Sequence, residues 1–128
     1  MTNKIKILGR GYVFKFLPED IEDDVLKDFD GYCDETIGKI VVKKYTRSSP
    51  CEKQDLVKQE LKNARHEIIH AFLFESGFAE NSCWATNEEM VDWFARQWPK
   101  INKAISVAND IILGSYKSAD KIAKEGES

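Results

Sequence analysis

The chain has 128 residues, 42% of them hydrophobic and 32% charged, which is apolar mass for one small core and not for two. A net charge of −3, with lysines scattered among acidic residues, leaves no basic footprint for nucleic acid. With no apolar leader after Met1 and no run long enough to span a bilayer, the sequence reads as a single domain over 1–128, soluble, away from membranes and cytosolic.

In chain order, Lys4 to Leu8 and Tyr12 to Leu17 alternate charged and apolar residues around Gly9-Arg10-Gly11, which predicts two strands joined at a glycine turn. The acidic stretch from Pro18 to Asp30 carries Ile21, Val25, Leu26 and Phe29 at near-helical spacing, so a short helix or an irregular connection is expected. Gly31 to Asp34 and Lys39 to Lys44 bracket a turn at Glu35 to Gly38. The second of these runs is β-branched and flanked by lysines, as a strand near a sheet edge would be. Thr46 to Pro50 marks a loop.

A long helix is predicted from about Glu52 to Ser76, ending at Gly77, with Val57, Leu61, Ala64, Ile68 and Phe72 as its core stripe. A short connection, Ala79 to Ala85, leads to a capping box in which Thr86 caps and Glu89 answers. The helix so opened should run to about Trp98, before Pro99, burying Met90, Val91, Phe94 and Trp98. Lys100 to Leu113 repeats apolar residues at helical spacing and reads as a further core helix, while 115–128 reads as a polar tail with at most a short helix. The fold class is therefore α+β: a small antiparallel or mixed sheet of three or four strands on about three helices, the long helix central.

The chemistry concentrates in His66-Glu67-Ile68-Ile69-His70. On a helix, histidines four apart leave one face a turn apart and can close on a single ion, and the glutamate beside them can take a proton from a water that the ion has acidified. Both histidines of the chain lie in this stretch, so a third ligand must be a carboxylate or a cysteine. Cys33, Cys51 and Cys83 are widely spaced, form no C-x-x-C pair and read as reduced structural thiols. Among Glu88, Glu89 and Asp92, periodicity puts Glu88 and Asp92 together at the border of the buried stripe and Glu89 on the far side. Glu88 is therefore assigned to the metal, and Asp92 to a hydrogen bond that fixes the tautomer of a ligand histidine.

This pattern, with Glu88 eighteen residues after His70 and followed by Val91-Asp92 and Phe94-Ala95, resembles the gluzincin metallopeptidases, and most of all the small ImmA/IrrE-type proteins. From Leu61 to Trp98 the chain also resembles small phage and prophage proteins of Gram-positive bacteria. The resemblance implies zinc on His66, His70 and Glu88, a catalytic base at Glu67, a minimal zincin-like core, and a cytoplasmic peptidase of narrow specificity toward a protein or peptide substrate. It hardly covers the first thirty residues or the tail, and no histidine remains for oxyanion stabilisation; Tyr32, Tyr45, Arg96 and Tyr116 stay open as donors. A substrate strand is expected to add to the edge at Lys39 to Lys44. The alternative is a zinc-stabilised binding or regulatory module that turns over nothing.

Overall fold

The computed structural model describes residues 2–18, 23–46 and 55–126. Cys51, the loop after Thr46 and the expected helix start at Glu52 lie outside the described residues. The chain divides into two units, 1–96 and 97–128, each described by itself.

The first unit opens with a hairpin of β1 (Thr2–Ile7) and β2 (Arg10–Pro18), in which Ile7 pairs with Arg10. Its turn residues, Leu8 and Gly9, both have positive φ (49° and 88°), the backbone that two-residue hairpins with right-handed strand twist require. After α1 (Asp24–Asp28), whose first amides at Val25 and Leu26 donate to the Asp23 carboxylate, come β3 (Gly31–Asp34) and β4 (Lys39–Lys44). The four strands form one mixed sheet in the order β1-β2-β4-β3. β4 runs parallel to β2 and antiparallel to β3, so the chain crosses to the outer position through α1 and returns between its neighbours. The α+β class and the mixed sheet are as expected. The place of β4 is not: it is an inner strand, and β3 holds the edge. Its lysines sit at the two ends of a run, Ile40 to Val42, that is buried throughout, and the charge at a strand's ends does not decide its neighbours.

Helix α2 (Leu56–Glu75) is capped by Asp55, which accepts from Lys58 N at 2.9 Å. Ala64, Ile68 and Ala71 pack on Ile7, Tyr12, Ile40 and Val42 to form the core. The predicted stripe is corrected here, because Val57, Leu61 and Phe72 are exposed and the buried line is Asn63, Glu67 and Ala71. Two polar residues replace the apolar ones facing inward, which is unfavourable without partners or a purpose. The C-terminal end of α2 is fastened by Glu75, whose carboxylate accepts from Tyr12 Oη at 2.6 Å and Arg10 Nη1 at 2.7 Å.

The expected connection contains α3 (Phe78–Asn81) and a single 3₁₀ turn (Cys83–Thr86). Helix α4 then runs from Glu88 to Gly126. Its cap is Asn87, not Thr86: Asn87 Oδ1 accepts from Met90 N at 2.9 Å, while Thr86 Oγ1 is turned back to donate to Cys83 O. Asn is as good a cap as Thr, and the helix takes the later of the two. Its buried residues in the first unit are Val91 and Ala95, whereas Met90 and Phe94, expected inside, are exposed.

Pro99 does not end this helix, contrary to expectation. Proline has no N–H, so the carbonyl of Ala95, four residues earlier, loses its helical donor. Arg65 Nε on α2 donates to that carbonyl at 2.6 Å and fills the gap. The second unit is the remainder of this helix. The stripe from Ile101 to Ile112, expected in a core, has no other element of its unit to pack against, and residues 115–126, expected as a tail, are helical.

Candidate metal centre

Helix α2 carries Lys62, His66, His70 and Phe74 at intervals of four, one line along its length, and this line forms one wall of a cleft of about 470 Å³. The opposite wall is the edge strand β3 with Phe29 and Val25, and Glu88 and Asp92 close one end.

Both imidazoles turn Nε2 toward one point, 3.2 Å apart. Glu88, in the first turn of α4, reaches the same point from an exposed position: Oε2 stands 3.0 Å from His66 Nε2 and Oε1 3.0 Å from His70 Nε2. His66 Nδ1 lies 3.3 Å from Asp92 Oδ1. Burial would raise the Asp92 carboxyl, but hydrogen bonds from Arg96 and Lys62 hold it down to about 2, so it is ionised and can only accept. The hydrogen in the His66–Asp92 contact therefore belongs to Nδ1, so that in the neutral imidazole Nε2 carries the lone pair. That lone pair faces a Glu88 oxygen at 3.0 Å, an arrangement that calls for a cation between them, either a proton or a metal ion.

The distances fit the second. Donors arranged tetrahedrally at about 2.0–2.1 Å from one ion stand about 3.3 Å apart; the two imidazole Nε2 atoms are 3.2 Å apart, and each meets a different oxygen of the Glu88 carboxylate at 3.0 Å. One ligand atom from each of His66, Glu67 and His70 also lies within 4.8 Å of the others, so this group could hold a metal ion. Of the two glutamates, Glu88 touches both imidazoles and is the closer donor. Burial pushes His70 toward its neutral form, the form that can coordinate, against the opposing field and hydrogen bond of Glu88 and with a smaller contribution from His66.

Glu67 is different in kind. It is 8% exposed, and its Oε2 is buried with no hydrogen-bond partner among the described residues. Burial pushes its carboxyl up to about 7; Glu88 adds to the rise while His66 and Lys62 oppose it. A buried carboxyl near neutrality, beside a point where two imidazoles converge, is equipped to take up and release a proton. Gly31 lies against it: a Cβ there would meet Glu67 Cγ in ordinary contact at 3.5 Å but clash with Val41 O at 2.8 Å, so the glycine is required by the neighbouring strand.

The oxyanion candidates are dispersed. Tyr32 lines the cleft, but its hydroxyl donates to Asp23 Oδ2 at 2.9 Å. Tyr45 Oη accepts from Asn63 Nδ2 at 2.8 Å, and Arg96 Nε donates to Asp92 Oδ2 at 2.6 Å. Tyr116 belongs to the second unit. Sequence reading missed Lys62, Asn63, Gly31 and the place of Cys33 in the cleft wall. For Lys62 and Asn63 a signal was present, since they stand four residues before His66 and Glu67. Cys33 carries a thiol that burial, and then the field of Glu67, raise to about 12, so it stays protonated.

No family model matches the chain, and searches of curated proteins and of solved structures find no match either. Among the described residues no helix is long and apolar enough to cross a membrane.

Proposed function

We propose that this chain is a zinc-dependent peptidase in which His66, His70 and Glu88 hold the ion and Glu67 moves the proton. The observation that carries the reading is the convergence of two Nε2 atoms and one carboxylate at 3.0–3.2 Å beside the buried, unpartnered Oε2 of Glu67. The resemblance to gluzincins points the same way. Zinc in such a site polarises a carbonyl and acidifies a water.

The chain's own residues supply the rest. Glu67 accepts the proton of the attacking water as the new C–O bond forms, then delivers it to the amine nitrogen as the C–N bond breaks. Asp92 keeps His66 in the tautomer that presents Nε2. The substrate is placed along β3 rather than along Lys39 to Lys44, because β4 has neighbours on both sides whereas β3, among the described residues, pairs with β4 alone and lines the cleft. An extended peptide hydrogen-bonded to that edge would cross above the helix line. A cleft of this size on so small a sheet favours one or a few protein targets over general digestion. The setting expected for such an enzyme is the cytoplasm of a bacterium, with the chain encoded by a phage or prophage.

One observation favours a second reading, a zinc-stabilised binding module without turnover: Tyr32, Tyr45 and Arg96 are each engaged elsewhere. Glu67→Gln decides between them. If the chain is a peptidase, the variant retains about one zinc per chain and loses its effect on the target. An undiminished effect of E67Q would establish the binding reading instead.

A further inference from the structure

We infer that Lys62 is a positioning residue of the metal centre: it locks the Asp92 carboxylate so that Oδ1 faces His66 Nδ1. The inference rests on the reading of His66 as a ligand.

A carboxylate that accepts one hydrogen bond can still turn about its own axis and exchange its oxygens, so a single contact at 3.3 Å does not fix the imidazole. Asp92 has two further partners. Arg96 Nε takes Oδ2 at 2.6 Å, and Lys62 Nζ takes Oδ1, the oxygen that meets His66, at 3.0 Å. These two cations are not equivalent. Arg96 is four residues from Asp92 on the same helix and 57% exposed, so it moves with Asp92, is screened by water, and says nothing about where α2 lies. Lys62 is on α2, one turn before His66, and only 16% exposed. Of the two cations, it is the one that ties the carboxylate to the helix that carries the imidazole.

The triangle of Lys62 Nζ, Asp92 Oδ1 and His66 Nδ1 therefore links a ligand to the group that orients it through the ligand's own helix. The same link runs between the two elements that supply the three donors, α2 for the histidines and α4 for Glu88. Lys62 is also the only cation among the described residues lining the cleft, against the carboxylates of Asp30, Glu67, Glu88 and Asp92.

The test compares Lys62→Met, Lys62→Gln and Lys62→Arg with the parent. Zinc affinity is measured by competition with a chromogenic chelator, and the His66 tautomer by nitrogen-15 shifts of the metal-free protein. K62M and K62Q are expected to bind zinc about tenfold more weakly, as loss of an orienting partner does, and to show a mixture of tautomers where the parent shows the Nδ1–H form. K62R, which keeps a donor and the charge, is expected to stay within about threefold of the parent. Parental zinc affinity and parental tautomer in K62M and K62Q, even with a lowered melting temperature, would overturn the inference and leave a structural ion pair. Should the parent bind no zinc, the peptidase reading fails, while the tautomer of the metal-free variants still decides the part played by Lys62.

Discussion

The contact between Arg65 and the carbonyl of Ala95 can be dissected with a double-mutant cycle. Ala95 is fully buried, its carbonyl receives no hydrogen from Pro99, and the Arg65 guanidinium lies at 2.6 Å. Arg65→Met keeps most of the aliphatic stem and leaves that oxygen unsatisfied, which costs about 1–3 kcal/mol. For a chain of this size, about 2 kcal/mol corresponds to roughly 7 °C in Tm. Pro99→Ala restores the missing N–H and removes up to about 3 kcal/mol of helix penalty, so in that background Arg65→Met should cost less than about 1 kcal/mol. The coupling between the two sites is thus expected at about 1–2 kcal/mol, read from urea unfolding by circular dichroism with a chelator present to remove metal linkage. Equal costs of Arg65→Met in the two backgrounds would refute the argument that Arg65 substitutes for the proline's absent donor. The cycle bears on the site, because this hydrogen bond sets the first turns of α4, with Glu88 and Asp92, against α2.

His66→Ala should abolish the gain in melting temperature that zinc confers; at a hundredfold excess over the dissociation constant that gain is about 2.7 kcal/mol in the parent, and equal melting of variant and parent with zinc would contradict the ligand assignment. In metal-stripped protein the Glu67 carboxyl titrates near 7, above its unfolded value, because burial disfavours the charge. Its contribution to stability is therefore full below about pH 4.3 and is lost as pH rises through about 7, on the order of 3 kcal/mol. E67Q lacks that loss, so its stability should gain on the parent's between pH 4.5 and 7.5 in urea unfolding; parallel curves would show the carboxyl is not buried. Gly31→Ala places a methyl 2.8 Å from Val41 O, which should lower stability by about 1–3 kcal/mol, measured in the same way. An unchanged midpoint would mean that β3 can move aside.

The strands, the long helix and the histidine pair are legible in the amino-acid sequence because each rests on local spacing: period two in β1, β2 and β4, period 3.6 in α2, and four residues between His66 and His70. The placement of Glu88 and Asp92 on the helix face beside the histidines follows from geometry along the chain in the same way. Tertiary structure alone decided what depends on a partner distant in sequence. β4 became an inner strand because β3 pairs beyond it, and Asn63 and Glu67 turned inward on α2, beside the core residues Ala64, Ile68 and Ala71, because they line the cleft. Helix α4 passes through Pro99 because an arginine thirty residues before Ala95 reaches the orphaned carbonyl. Short-range periodicity reports what a segment can form; which face it buries, and which of its backbone groups find partners, is settled by atoms the local pattern does not contain.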